Sequence, residues 1–179
     1  MTELLDVSRL QAGRLTLQLA PCDLTSVVRV AVEEQTELHP DRTLRMVLAP
    51  GGTLALGDAE RLGEVVSNYL TNAFKYAPVD QPVDVTLSVS DRMARVAVRD
   101  RGPGLRPAER ERVWELYHRS PNARVVSHSD IGLGVGLYLC RAIVQTHPGG
   151  QVGVESAEGV GSTFWFTLPL MAEAEQANA

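Results

Sequence analysis

The sequence lacks three features that would point to particular classes of protein. It has only two cysteines, Cys22 and Cys140, and their spacing does not fit a metal site. We therefore expect two unpaired thiols in a reducing compartment. No apolar run reaches the roughly 18 residues of a transmembrane helix, because Arg141 interrupts the longest one, at residues 131–144. This predicts no membrane contact from this chain.

An excess of positive charge is also absent. The chain has 17 Lys and Arg residues against 22 Asp and Glu residues, which gives a net charge of −5. Proteins that bind nucleic acid usually carry a basic stripe, so the composition disfavours nucleic acid as a partner. Glu3 and Asp6 exclude a signal peptide at the start of the chain. We expect a cytoplasmic location for this chain, whether or not a longer protein that contains it is anchored in a membrane.

The features that are present are those of one globular domain. Hydrophobic residues make up 44% and charged residues 22% of the 179 residues, as in ordinary soluble proteins. This length can bury one core with a short appendage, but it does not fit a second full domain. We divide the chain into a helix end with a linker at 1–13, an α/β domain at 14–170 and a disordered tail at 171–179.

Hydrophobic periodicity predicts alternating helices and strands. Asp23 or Thr25 caps a helix that runs to about Leu38, and Asp58 caps another that ends before Pro78. Further helices are predicted at 1–10, 107–116 and 134–146. Alternation with period two predicts strands at 15–19, 43–48, 53–56, 83–89, 96–98, 152–156 and 163–168. The segment between the fourth and fifth of these strands predicts a hairpin.

Two carboxamides lie four residues apart in the second of these helices. Asn68 and Asn72 share one helical face, and Lys75 follows near that face. A carboxamide oxygen is a hard ligand that suits Mg²⁺, which needs few protein ligands when phosphates and water supply the rest. A single asparagine in a helix is more often a solvated residue. This segment therefore indicates a metal site only in combination with the two segments described next.

A carboxylate precedes a glycine turn in residues 100–104 (DRGPG). Asp100 follows a predicted strand, and Gly102 and Gly104 allow the backbone to approach a flat ring closely. In this position the carboxylate can accept a hydrogen bond from the exocyclic amine of adenine. An isolated aspartate before glycines is more often a simple turn residue.

Three glycines precede the last helix. Gly132, Gly134 and Gly136 leave backbone N–H groups free at a helix N-terminus, where they attract phosphate. A dinucleotide-binding loop is the competing interpretation. It is disfavoured because Leu137 stands where the third glycine should be, and because the preceding residues 123–130 do not form a clear buried strand.

These segments, in this order, resemble the catalytic ATP-binding domain of bacterial sensor histidine kinases, within the larger group that includes DNA gyrase and MutL-type ATPases. The resemblance rests on five segments, at 68–76, 100–104, 113–119, 132–137 and 159–166. It implies a two-layer α/β sandwich, in which helices pack on one face of a mixed sheet. It also implies ATP and Mg²⁺ as ligands.

The resemblance implies a role for each matched residue. Asn72 would be the magnesium ligand, and Asp100 would bind the adenine amine with Ser162 in a water network beside it. Residues 116–131 would form a lid over the nucleotide, with Trp114 and Tyr117 in place of the usual phenylalanines. The other residues implied in cofactor binding are Asn68, Lys75, Tyr76, Gly102, Gly104, Arg119, Gly132, Gly134, Gly136 and Leu137.

Asn68 distinguishes the subclasses of this larger group. ATPases and serine-directed kinases resemble each other in carrying a glutamate there as general base. An amide cannot accept a proton at neutral pH, and Glu64 lies a further helical turn away. We therefore predict slow hydrolysis of ATP, so that the γ-phosphoryl group stays available for transfer to an incoming imidazole. Asn68 and Lys75 are the predicted catalytic residues.

Two alternatives to a histidine kinase stay open. One is an ATPase or a serine-protein kinase of the same fold, which Asn68 disfavours. The other is a non-catalytic interaction module that reports bound nucleotide to a partner.

Residues 1–13 resemble the end of the second helix of the dimerisation and phosphoacceptor domain. The phosphoacceptor itself is absent, because no histidine has the acidic and proline context of the family's acceptor. This holds for His39, His118, His128 and His147, and we predict surface positions for His39, His128 and His147. The resemblance implies two partners, a phosphoacceptor histidine domain and the receiver domain of a response regulator. It also implies a homodimeric full-length kinase, whereas this chain alone can be a monomer.

Overall fold

The computed structural model describes residues 7–8, 15–118 and 134–172. In these residues the chain forms four helices and seven strands. The helices are α1 (Leu24–Leu38), α2 (Ala59–Tyr76), α3 (Glu109–Arg112) and α4 (Gly136–Thr146). The strands are β1 (Ala20–Asp23), β2 (Leu44–Leu48), β3 (Leu54–Gly57), β4 (Val83–Ser90), β5 (Met93–Arg99), β6 (Gln151–Ala157) and β7 (Gly161–Pro169).

Five strands form a mixed sheet in the order β2-β4-β5-β7-β6. Strand β2 runs parallel to β4, and the other neighbours are antiparallel. Helices α1, α2 and α4 bury apolar stripes in the same core as the inward residues of this sheet. The predicted two-layer α/β sandwich is confirmed.

Strands β1 and β3 form a separate antiparallel pair. The predicted strand at 15–19 is wrong, because the strand begins at Ala20. The N–H of Gln18 donates to Oδ2 of Asp58 at 2.8 Å, so this stretch pairs with a side chain. Pro21 lies inside β1, where a two-stranded pair leaves its nitrogen side unpaired.

A two-residue turn closes the β4–β5 hairpin. Ser90 pairs with Met93, and Asp91 and Arg92 between them have φ of 50° and 61°. Positive φ at both central residues matches the right-handed twist of the strands. The hairpin was predicted, and the structure confirms it.

Two aspartates cap the helices, as predicted. Asp23 accepts from the backbone N–H groups of Thr25 and Ser26 at 3.2 Å, and Asp58 accepts from that of Arg61 at 3.2 Å. Burial opposes ionisation of Asp23, but hydrogen bonds from Ser26, Thr53 and the backbone outweigh it and lower the pKa. Each cap satisfies N–H groups that the first turn of a helix cannot pair.

Several sequence predictions need correction. The helix predicted at 107–116 is only the four residues of α3. His147 is buried at 2% exposure, so its predicted surface position is wrong. His39 is half-buried, with its ring 4.9 Å from that of Phe74. His128 lies outside the described residues.

Other predictions agree with the structure or stay open. Cys22 and Cys140 are buried and form no disulfide bond with each other. In the described ranges no helix is both long and apolar enough to cross a membrane. The domain boundaries stay a prediction, although the N–H of Met171, placed in the predicted tail, donates to the carbonyl of Leu54 at 2.9 Å.

Candidate functional site

The candidate site lies where the end of β5, the second half of α2, the start of α4 and the β6–β7 turn meet. A Cβ atom added at Gly102 would lie 3.0 Å from the carbonyl oxygen of Tyr76, so the turn after β5 contacts the end of α2. A Cβ atom at Gly136 would lie 2.6 Å from Oδ1 of Asn68, so the start of α4 contacts the same helix. Segments far apart in the sequence therefore converge.

Asp100 is the buried carboxylate of this site, at 6% exposure. Its Oδ1 accepts from the N–H of Gly102 at 2.8 Å and from that of Ser162 at 3.3 Å. Among the described residues, Oδ2 has no hydrogen-bond partner. Burial raises the pKa of this carboxyl, and the two N–H donors oppose that rise only in part. A hydrogen-bond donor on a ligand would pair with Oδ2.

The glycines around Asp100 are required by close backbone contacts. A Cβ at Gly104, where φ is +68°, would lie 2.0 Å from the carbonyl oxygen of Ala157. A Cβ at Gly161, where φ is +122°, would lie 2.2 Å from the carbonyl oxygen of Asp100. The N–H of Gly159 also donates to the carbonyl of Pro103 at 2.7 Å. The turn after β5 is therefore fixed against the β6–β7 turn.

Ser156 belongs to the same network, and sequence reasoning missed it. Its Oγ accepts from the N–H of Leu105 at 2.8 Å and donates to the carbonyl of Gly161 at 2.9 Å. It also lies 2.8 Å from Oγ of Ser162. Only the antiparallel register, which pairs Ser156 with Ser162, brings these two side chains together. No sequence motif contains this signal.

Asn68 faces the start of α4. Its Nδ2 donates to the carbonyl of Glu64 at 3.1 Å, and its Oδ1 points toward Gly136. Glu64 forms an ion pair with Arg61 at 2.9 Å. Neither side chain is thus arranged as a proton acceptor beside Asn72.

Asn72, Lys75 and Tyr76 follow on the second half of α2, and all three are half-buried. Lys75 Nζ lies 5.3 Å from the centre of the Tyr76 ring. The amide of Asn72 makes no hydrogen bond to another described residue, which leaves its oxygen available to a ligand. No cluster of three His, Cys, Asp or Glu side chains in residues 7–8, 15–118 and 134–172 could hold a metal ion.

The start of α4 is joined to the segment after α3. The N–H of Tyr117 donates to the carbonyl of Gly134 at 2.9 Å. Gly134 has φ of +73°, and a Cβ there would lie 2.9 Å from the carbonyl oxygen of His118. Leu137 packs against the main core, so its side chain supports α4 from within. Arg119 and Gly132 lie outside the described residues, as does most of the predicted lid.

The two aromatic residues that stand in place of the usual phenylalanines differ in their environment. Trp114 is buried at 7% exposure and packs edge-on against Phe164, with ring centres 5.8 Å apart. Tyr117 is 59% exposed and has φ of 63°. Trp114 is therefore part of the core, whereas Tyr117 contributes a backbone hydrogen bond at the surface.

Comparison with known proteins gives one family match. The model described as "Histidine kinase-, DNA gyrase B-, and HSP90-like ATPase" matches residues 57–172. This range contains all the site segments described above.

Curated relatives match almost the whole chain. Sensor histidine kinase RppB of Synechocystis is 34% identical over 95% of this chain and 37% of its own length. Histidine protein kinase DivJ of Caulobacter vibrioides is 32% identical over 96% of this chain and 28% of its length. The chain thus spans well under half the length of the curated relatives that it matches.

Solved structures share the fold. The mycobacterial sensor histidine kinase MprB is 29% identical, with a TM-score of 0.71, over 84% of this chain and 97% of that chain. Full-length ShkA in complex with AMPPNP is 29% identical, with a TM-score of 0.78, over 93% of this chain and 34% of that chain. The similarity therefore holds for both sequence and structure.

Proposed function

The chain belongs to the family of histidine kinase-, DNA gyrase B- and HSP90-like ATPases, and we propose that it is the catalytic domain of a sensor histidine kinase. In this proposal it binds Mg-ATP and presents the γ-phosphoryl group to a histidine outside this chain. A response regulator receives the phosphoryl group afterwards. The relatives named above are sensor or protein histidine kinases, and this chain matches only part of each.

The observation that carries the proposal is the arrangement of Asp100. One carboxylate oxygen is held by two backbone donors, and the other has no partner among the described residues. Adenine carries an exocyclic amine that can donate to the second oxygen. Position 102 requires glycine, because a Cβ there would lie 2.9 Å from Oδ1 of Asp100 and 3.0 Å from the carbonyl oxygen of Tyr76, so the backbone beside this carboxylate carries no side chain.

Asn68 supports a kinase over an ATPase. Its amide donates to the Glu64 carbonyl and cannot take a proton from water. Glu64 is held by Arg61. The described residues of α2 therefore offer no general base beside Asn72, and catalysis consists of positioning and charge neutralisation.

Asn72 is the residue that we assign to Mg²⁺. Its carboxamide oxygen is a hard ligand, and phosphate oxygens and water can supply the other positions of an octahedral ion. Mg²⁺ would neutralise charge on the phosphates when bound. Lys75, one turn after Asn72, adds positive charge at the same end of α2.

The proposal is tested by phosphoryl transfer in a defined mixture. The 179-residue chain is incubated with labelled ATP and Mg²⁺, alone and with a separately supplied histidine phosphoacceptor domain. We expect acid-labile, base-stable label on the acceptor domain, none on the chain alone, and slow steady-state release of phosphate. Asn72→Ala is the matched control and should abolish the transfer.

Other outcomes identify the alternatives. Fast phosphate release without an acceptor would identify an ATPase, and acid-stable label on serine would identify a serine kinase. Nucleotide binding with no transfer to any histidine domain would identify a non-catalytic interaction module.

A further inference from the structure

The hydroxyl of Ser156 makes three hydrogen bonds at the edge of the candidate site. Its partners are the N–H of Leu105, the carbonyl of Gly161 and the hydroxyl of Ser162, at 2.8, 2.9 and 2.8 Å. A hydroxyl has one hydrogen to donate and two lone pairs that accept. These three bonds therefore use its whole capacity.

The chemistry of the partners fixes the direction of each bond. The N–H of Leu105 can only donate, and the carbonyl of Gly161 can only accept. Ser156 thus accepts from the first and gives its one hydrogen to the second. The lone pair that remains faces Ser162, so Ser162 must be the donor in the bond between the two hydroxyls. With its hydrogen engaged, Oγ of Ser162 can offer only lone pairs to any other group.

Ser162 is also bound directly to Asp100. Its N–H donates to Oδ1 of Asp100 at 3.3 Å, and its carbonyl accepts from the N–H of Asp100 at 2.8 Å. Oδ2 of Asp100 and Oγ of Ser162 are therefore both acceptors in this region. A ligand edge that carries an amine can pair with them, whereas a carbonyl oxygen would meet acceptors.

We propose that Ser156 is a positioning residue that sets the base preference of the nucleotide site by holding the Ser162 hydroxyl as an acceptor. This inference rests on the proposed function, because it presupposes a purine nucleotide beside Asp100. ATP carries an amine at position 6 of the base, whereas ITP carries a carbonyl oxygen there. Removal of the Ser156 hydroxyl frees the hydrogen of Ser162 to turn toward that oxygen.

The test compares the affinities of ATP and ITP for variants of the 179-residue chain, measured by calorimetry. Ser156→Ala should lower the ratio of ATP affinity to ITP affinity by about threefold to tenfold, the value of one hydrogen bond between neutral groups. Ser156→Thr keeps a hydroxyl and should restore the ratio. Ser88→Ala is the matched control, because Ser88 is an exposed strand serine whose hydroxyl makes no hydrogen bond to another described residue.

A double-mutant cycle separates this role from simple support of the turn. In a Ser162→Ala background there is no hydroxyl to turn, so Ser156→Ala should leave the ratio unchanged. If Ser156 only supported the turn, Ser156→Ala would weaken the binding of ATP and of ITP equally. This loss of affinity would also occur in the Ser162→Ala background. Ser162→Ala alone should also lower the ratio of ATP affinity to ITP affinity. This variant provides a second test if Ser156→Ala does not fold.

The possible failures are distinguishable. If the unmodified chain does not bind ATP, the proposed function is wrong. If it binds ATP and neither Ser156→Ala nor Ser162→Ala changes the ratio, the proposed function stands and the role of Ser156 is wrong.

Discussion

Nε2 of His147 accepts a hydrogen bond from the backbone N–H of Asp58 at 3.0 Å, which joins the end of α4 to the start of α2. The other ring nitrogen, Nδ1, lies 2.8 Å from the carbonyl of Ile143. Because an N–H only donates and a carbonyl only accepts, the ring is neutral with its proton on Nδ1. Burial lowers the pKa of His147, and the Ile143 carbonyl and the Asp58 carboxylate oppose this only in part.

We expect the stability of the domain to fall as the pH falls below about 6.5, the ordinary pKa of histidine. In the unfolded chain His147 binds a proton near that pH, whereas in the folded chain it binds one only at lower pH. The stabilisation is therefore complete above pH 6.5 and decreases between that pH and the lower folded pKa. Urea unfolding at pH 7.5, 6.5, 5.5 and 5.0 measures this dependence.

The matched variant is His147→Gln, whose amide can donate and accept but does not titrate. It should be less stable than the unmodified chain at pH 7.5 by about 1 kcal/mol, and the difference should shrink toward pH 5. The lowered pKa of Asp23 makes the stability depend on pH only near and below pH 3.8, which is outside the range of these measurements. A constant difference across the pH range would contradict the role assigned to His147.

Gly104→Ala should destabilise the domain by about 2–4 kcal/mol. Its Cβ would lie 2.0 Å from the Ala157 carbonyl oxygen, and φ is +68°. Gly63→Ala is the control, because Gly63 lies inside α2 with open space around it. That change should stabilise the domain by about 0.5–1 kcal/mol. Chemical denaturation measures both, and equal effects would argue against the close contact at Gly104.

Asp100→Asn should weaken the binding of ATP and reduce the preference of the site for ATP over GTP. The two N–H donors at Oδ1 hold the amide oxygen there, so the amide nitrogen replaces Oδ2 and donates. A hydrogen bond to a charged group contributes roughly 1.5–3 kcal/mol, so we expect about tenfold to a hundredfold preference for ATP in the unmodified chain. Competition binding measures it. Equal affinity of the unmodified chain for ATP and GTP would exclude Asp100 from the base site.

Asn72→Ala should remove most of the effect of Mg²⁺ on ATP binding. It deletes the proposed metal ligand and leaves Asp100 intact, so ADP without metal should bind as before. Thr71→Ala is the neighbouring control, since Thr71 is exposed and bonds within its own helix. Calorimetry of ATP binding with and without Mg²⁺ distinguishes the two variants. An unchanged magnesium effect would show that Asn72 is not the ligand.

Elements with a long repeated pattern could be predicted from the sequence. Helix α2 and its cap at Asp58 were predicted correctly, because helical spacing and capping are local properties. The burial of His147 could not be predicted. It depends on Asp58, which is 89 residues away in the sequence.

The residues of the candidate site also differ in whether the sequence alone identifies them. Asn68, Asn72 and Asp100 lie in short motifs and were identified from the sequence, although their roles stay predictions. Ser156 was missed because its contacts depend on the register between β6 and β7. The polarity of its bond to Ser162 can be derived only when both backbone partners are known.

The bond between Tyr117 and Gly134 has a consequence for the engineering of this domain. The chain departs after His118 and returns at Gly134, and these two positions are in contact. The distance that residues 119–133 must span is therefore short and fixed by the fold. The entropy cost of joining two fixed ends rises by only about 0.6 kcal/mol for each doubling of the number of residues between them, so the length of this connection has little effect on the stability of the fold. We therefore expect the domain to fold with a connection between His118 and Gly134 that is longer or shorter than the natural one, as long as it reaches across this short distance.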